Sequence, residues 1–261
     1  MSAELIERHA AELRSLAPAV GEAFAAAAAA LQGHLDRENL RKWAEISAGL
    51  ADQAPQAAAA FIEATPAALA RLEPPELEVW ASQGRRLIRR GWKSARLSAD
   101  FFRISPLILE SLSLRDLDGL VDLVEGLAQR SYETASLCLH DSPSVLARLA
   151  ESDREPFLAF ARALCRASWV ETHPLFERGP GLLEAVLPAH RGALLDLAAA
   201  VAPEARGEGF SLFASSAEAL SALDPADQPE VLDFARQLAP HGARVAVESL
   251  LSAPEVRQRL T

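Results

Sequence analysis

Apolar residues recur along this chain in one arrangement, most legible between Asp100 and Leu112 (DFFRISPLILESL): an apolar residue four places before a proline, and leucines usually three and six places after it. With that proline as ruler, the arrangement returns at Pro66, Pro106, Pro143, Pro180, Ala217 standing in for proline, and Pro254, in steps of 40, 37, 37, 37 and 37 residues. A second series of large apolar residues, Trp43, Trp80, Leu120, Phe157, Leu194 and Val231, keeps the same period. Both series put the one irregularity, three extra residues, between Trp80 and Pro106. Self-similarity at a fixed period marks a tandem array in which each unit buries its apolar face only by stacking on its neighbours. The pattern predicts an all-α fold, an α-solenoid of about six to seven units of about 37 residues, forming a single domain over residues 1–261.

Within each unit the punctuation predicts three helices. Thr65-Pro66, Ser105-Pro106 and Ser142-Pro143 read as a hydroxyl N-cap followed by proline at the first helical position, which opens a short helix. Pro74-Pro75, Ser113 to Asp116, Ser152 to Glu155 and Asp224-Pro225 read as starts of a second, long helix, running from about Leu114 to Arg130 in one unit. A third helix carries Tyr132, Ala135 and Leu139 toward the next proline. Three helices in this length resemble an armadillo or HEAT-like unit. Residues 1–35, with Phe24, Leu31 and Leu35 but no proline, read as an N-terminal cap, residues 36–253 as repeats, and residues 254–261, with Arg257 at a stacking place, as a polar cap or a truncated further unit. Arg178 to Gly181 and Ala202 to Gly209 read as loops or weakened helices.

Composition narrows the function classes. Of 261 residues 50% are hydrophobic but only 6% aromatic, which suits closely packed helices better than sheets. A formal net charge of −10 opposes general nucleic-acid binding, which needs a basic footprint. Cys138 and Cys165 form no CxxC pair and read as buried thiols of a reducing compartment. The start, MSAELIERHAAEL, carries acids where a secretory leader needs bases, and the apolar run Ala23 to Leu31 falls short of the roughly 20 residues of a membrane span. A cytoplasmic protein without membrane association is expected.

Candidate chemistry is sparse. His9, His34, His140, His173, His190 and His241 make no pattern of metal-ligand spacing. His140-Asp141 before Ser142-Pro143 reads as a helix start rather than a triad, and Gly84 to Gly91 before Trp92-Lys93-Ser94 lacks the glycine a phosphate loop needs before its lysine. Neither a catalytic residue nor a cofactor is expected. One stretch stands apart: Arg85, Arg86, Arg89, Arg90, Lys93 and Arg96 contain no acid between them. On a continuous helix Arg86, Arg89 or Arg90, and Lys93 would share one face beside Trp92. Two readings follow: a solvated face neutralised by acids of adjacent units, or a docking patch for an acidic partner or a phosphate group.

The phrase Trp80-Ala81-Ser82-Gln83-Gly84, followed by Ala99 through Leu112, is similar to helical repeats in the N-terminal part of bacterial nitric-oxide-reductase-activation-type proteins bearing a von Willebrand factor A domain. That resemblance implies an adaptor working with a MoxR-like AAA+ ATPase on a client complex. The D-x-S-x-S motif of the metal-binding domain does not occur, so no site residue carries over. The leading expectation is therefore a non-enzymatic scaffold that binds protein partners, with an acidic surface or peptide as the fitting ligand. Its rivals are a helical-repeat nucleic-acid binder, against which no polar triplet recurs at the 37-residue period, and an enzyme on a helical scaffold, for which paired acids and a nucleophile are missing.

Overall fold

The computed structural model describes residues 3–31, 33–88, 92–205 and 207–260; within these, the side chains of 3, 92, 243–244 and 254–260 are not described. Every regular element among the described residues is helical. Two compact units divide the chain, Met1–Ala128 and Gln129–Thr261. The first holds α1 (Ala3–Leu16), α2 (Pro18–Ala30), α3 (Arg37–Gln53), α4 (Pro55–Ala68), a 3-10 turn (Pro74–Glu76) leading into α5 (Leu77–Arg86), then α6 (Trp92–Ile108) and α7 (Leu114–Ala128). The second holds α8 (Tyr132–Arg148), α9 (Glu151–Ser168), α10 (Thr172–Glu184), α11 (Pro188–Val201), α12 (Gly209–Ser221), α13 (Gln228–Leu238) and α14 (Ala243–Leu260). No helix among the described residues is long and apolar enough to cross a membrane.

Of the starts read from the sequence, Ser113 opens α7 and Pro74-Pro75 forms the 3-10 turn before α5, whereas Ser152 to Glu155 lies inside α9, whose N-cap Ala150 makes no side-chain cap, and α13 begins at Gln228, beyond Asp224-Pro225. Asp36 accepts the Asn39 N–H at 2.8 Å to open α3, Ser113 accepts the Asp116 N–H at 3.2 Å to open α7, and the Glu73 N–H donates to Glu76 at 2.8 Å at the turn before α5. Each side-chain oxygen satisfies one of the donors that a helix start leaves without an internal partner.

The even-numbered helices correct the three-helix expectation. Pro66, Pro106, Pro143 and Pro180 do not open helices; they lie inside α4, α6, α8 and α10. What reads as a third helix followed by a short one is a single helix running through the proline, so each period holds two helices. The residue before the proline is accordingly no N-cap. Thr65 donates its hydroxyl to Phe61 O at 2.7 Å and Ser142 donates to Cys138 O at 2.6 Å, each back along its own helix. The same hydroxyl accepts from the facing odd helix, Trp43 Nε1 at 3.0 Å from Thr65 Oγ1 and Trp80 Nε1 at 2.8 Å from Ser105 Oγ. Arg178 to Gly181 is likewise helical, within α10. Ala202 to Gly209 does hold a break, a 3-10 turn over Ala202–Glu204 and a positive φ of 90° at Gly207 before α12 begins.

One place in the period shows how the pairs are matched. Phe157 and Gly179 occupy the places in the sequence register that Trp80 and Ser105 occupy earlier in the chain. A Cβ on Gly179 would lie 3.0 Å from Phe157 Cε2 and 2.7 Å from Leu175 Cδ1, so the ring occupies the space of the hydroxyl it replaces. Leu109, Leu146, Leu183 and Leu220, three places after the ruler residue, are buried, whereas Leu69 is half-exposed.

Aromatic rings mark the seams of the first unit. Phe24 stacks on Trp43 with centroids 4.3 Å apart, and 37 residues on Phe61 lies 5.1 Å from Trp80. Both pairs join an even helix to the next odd one, and all four side chains are fully buried. The α1–α2 crossing is close: a Cβ on Gly21 would meet Ala10 O at 2.7 Å.

Candidate functional site

The basic interval does not form one helix face. α5 stops at Arg86, Leu87 and Ile88 turn, and α6 begins at Trp92, so Arg86 and Lys93 stand on different helices. Two serines of α6 close the connection: Ser98 donates to Gly84 O at 2.9 Å and Ser94 to Ile88 O at 3.2 Å, taking up carbonyls that the end of α5 leaves without helical donors. Arg89 and Arg90 lie outside the described residues, as does the side chain of Trp92.

Arg86 has its own acids. Its Nη1 reaches Asp118 at 2.7 Å, its Nη2 binds Asp122 and Glu125, the latter at 2.8 Å, and its Nε donates to Glu125 at 3.2 Å. Asp118, Asp122 and Glu125 stand four and three residues apart on α7, one face of that helix. Burial alone would lower the guanidinium's pKa; the hydrogen bonds and charges of Asp122, Glu125 and Asp118 outweigh it and raise it. Arg86 is thus a tie between α5 and α7, and at this residue the charge is neutralised by acids further along the chain, the first of the two readings. Arg86→Gln is expected to lower stability by about 1–2 kcal/mol at low ionic strength, by leaving three carboxylates crowded together, with the loss shrinking as salt is added. Chemical denaturation in low and high salt checks it.

Arg85 is half-buried over α3, with Nη2 3.6 Å from where a Cβ on Gly49 would stand. Lys93 is exposed in the first turn of α6. Arg96, one turn on, is exposed on the wall of a groove of about 580 Å³ between α6 and the α3–α4 turn. Opposite stand Gln53, Pro55 and Gln56; Asp100 and Arg103 continue the α6 wall. Asp100 is 3.6 Å from Arg103. Arg96 has no ion-pair partner among the described residues.

A second basic cleft, of about 590 Å³, lies between α1 and α3 and is lined by Leu5, Arg8, Arg37, Glu38 and Arg41. Glu38 is drawn to Lys42 at 2.9 Å, whose hydrogen bond and charge lower its pKa, and Arg41 to Glu45 at 3.3 Å. Arg8 and Arg37 form no ion pair among the described residues. Sequence reading missed this cleft because Arg8 and Arg37 are far apart in the chain and each sits among acids; only the packing of α1 on α3 brings them together.

Comparison of the chain with protein-family models, with curated proteins and with solved structures finds no match. Ser142 is buried and engaged with Cys138 O, while Asp141 lies 3.3 Å from His173 Nε2, so the three neighbours His140, Asp141 and Ser142 are not aligned on one another. Cys138 and Cys165 are free and buried, and burial, helped by Asp141, pushes the Cys138 thiol up to about 12, which keeps it protonated and unreactive at neutral pH. Glu171 reaches the start of α12 and accepts the N–H groups of Gly209 and Phe210, both at 3.2 Å. Its burial raises the carboxyl pKa, against the pull of those two donors. Among the described residues no group of His, Cys, Asp or Glu is placed to hold a metal ion.

Proposed function

We propose that the chain is an α-solenoid scaffold whose first unit docks an acidic protein segment in the groove between α6 and the α3–α4 turn. The observation that carries this is Arg96, exposed and without an ion-pair partner among the described residues, on an α6 wall that continues through Asp100 to Arg103, 3.6 Å apart, across a groove of about 580 Å³ from Gln53 and Gln56. The Arg96 guanidinium offers a forked donor to a carboxylate, Arg103 keeps donors beyond its contact with Asp100, and the glutamines offer donors and acceptors to an extended backbone. The Arg8 and Arg37 cleft supplies a second basic contact on the same unit. The solenoid part of the reading is supported by the Phe24–Trp43 and Phe61–Trp80 pairs, the same contact one period apart. The family resemblance makes a MoxR-like AAA+ ATPase the first partner to assay.

The test uses the whole chain and a fluorescently labelled glutamate-rich peptide. Arg96→Glu with Arg103→Glu is expected to weaken binding about ten-fold or more, largely through slower association, and the wild-type affinity is expected to fall with added salt while the melting temperature of the variant stays that of the wild type. Equal affinity of wild type and variant removes the groove from the reading. Binding of a single-stranded RNA of matched charge, lost in the same variant, with no binding of the peptide, turns the reading to the nucleic-acid rival.

A further inference from the structure

The cleft between α1 and α3 gathers charge of one sign from two helices. Arg8 of α1 and Arg37 and Arg41 of α3 line it, with Leu5 half-buried beside them and Glu38 as the one acid on its wall among the described residues. Some of these charges are already matched: Glu38 lies 2.9 Å from Lys42 and Arg41 lies 3.3 Å from Glu45, two pairs that run along α3 and cancel. Arg8 and Arg37 are left over, exposed and without an ion pair among the described residues. Of the acids one turn from Arg8, Glu4 makes no ion pair there either, and Glu12 is drawn to His9 Nδ1 at 3.1 Å. Asp36, beside Arg37 in the chain, accepts the Asn39 N–H at 2.8 Å. Two uncompensated guanidiniums, one from each helix, thus border a space of about 590 Å³.

Their number and chemistry select the ligand. A lone carboxylate brings a single charge and two oxygens, enough for one guanidinium. A phosphate monoester brings about 1.5 to 2 negative charges at pH 7 and three strong acceptor oxygens, so it can take a forked pair of N–H bonds from Arg8 on one side and another from Arg37 on the other. An anion there also relieves the repulsion between Arg37 and Arg41, four residues apart on α3. The volume falls in the range of small-ligand sites and leaves room for an organic group beyond the phosphate, with Leu5 as its apolar wall. We infer that the α1–α3 cleft is a binding site for a phosphate monoester, held between the guanidiniums of Arg8 and Arg37.

Phosphorus NMR titration of phenyl phosphate with the whole chain at low ionic strength tests this. Saturable binding of one phenyl phosphate per chain is expected, with a dissociation constant of about 1 mM or tighter. Phenyl sulfate, of the same shape but with a single charge, is expected to compete about ten-fold or more weakly. Arg8→Gln and Arg37→Gln are each expected to weaken binding about ten-fold or more while keeping the circular dichroism and melting curve of the wild type, since both side chains are exposed. Arg115→Gln, the same charge lost from the exposed first turn of α7, is expected to bind as the wild type does. A phosphoserine peptide that competes better than phenyl phosphate makes the source a phosphorylated protein, and one that competes worse makes it a small molecule. No saturation at about ten times the expected constant overturns the inference, as does an affinity unchanged in both Arg8→Gln and Arg37→Gln. Equal binding of phenyl sulfate overturns the choice of phosphate. Phenyl phosphate contains no peptide, so filling of this cleft and docking in the α6 groove succeed or fail separately.

Discussion

Trp80→Ala is expected to destabilise the first unit by about 3–5 kcal/mol, the range for emptying an aromatic site in a close-packed core. Trp80 is fully buried, 5.1 Å from Phe61 and 5.1 Å from Phe102, and its Nε1 donates to Ser105 Oγ at 2.8 Å. Two further variants divide the loss. Ser105→Ala leaves the rings in place but strands a buried indole N–H, at about 1–3 kcal/mol, more than the loss of a surface cap would bring. Trp80→Phe removes the donor and part of the volume. Combined, Trp80→Phe and Ser105→Ala should cost clearly less than the sum of the two, because removing both partners leaves neither group orphaned. Equilibrium urea denaturation of the four proteins measures this, and additivity within about 0.3 kcal/mol would show that the hydrogen bond contributes nothing.

Gly84→Ala is expected to destabilise the same core by about 1–3 kcal/mol although alanine is the better helix former by nearly 1 kcal/mol. A Cβ there would stand 2.1 Å from Phe102 Cζ and 2.6 and 2.7 Å from its Cε atoms. The ring has nowhere to go, with Phe61 at 5.3 Å, Trp80 at 5.1 Å and Phe101 at 5.5 Å around it. Gly192→Ala is the control: it lies within α11 with nothing inside 4 Å of the new methyl, and should gain about 0.5–1 kcal/mol from helix propensity alone. Thermal and chemical melts of both variants check the pair. A stabilised Gly84→Ala would mean that α5 and α6 are not in the contact described, and shortening Phe102 to leucine in the destabilised variant should recover part of the loss.

How much of this was legible without coordinates differs residue by residue. The buried ruler positions were, because burial at a fixed period is written directly in residue type: Ile62, Phe102, Leu139, Phe176, Phe213 and Leu250, four places before the ruler residue, are all inside. The start of α7 at Ser113 was legible too, since cap chemistry is local, but Ser152 lies inside α9 and Asp224-Pro225 stands ahead of α13, because the same residues also serve turns and first helical turns. The even helices were misjudged because Ser-Pro carries the same letters at a helix start and inside a helix; what decides is whether the upstream turn continues, and whether a tryptophan 22 or 25 residues earlier needs an acceptor. The basic interval was half legible. Its charges are plain in sequence, but the acids that hold Arg86 lie 32 to 39 residues downstream, and only the packing of α5 on α7 selects them.

The matched places on facing helices, tryptophan with hydroxyl in the first unit and phenylalanine with glycine in the second, bear on how such a chain can be recombined. Phe157 fits against Gly179 because no side chain stands there, and Trp80 is satisfied because Ser105 does. Grafting α6 opposite α9 would press a serine into the phenyl ring, and grafting α10 opposite α5 would leave the indole with no acceptor. A chimera that keeps each of these odd helices with the even helix after it is therefore expected to keep a matched core, and a crossover placed between them to yield unchanged helical content and a mismatched core.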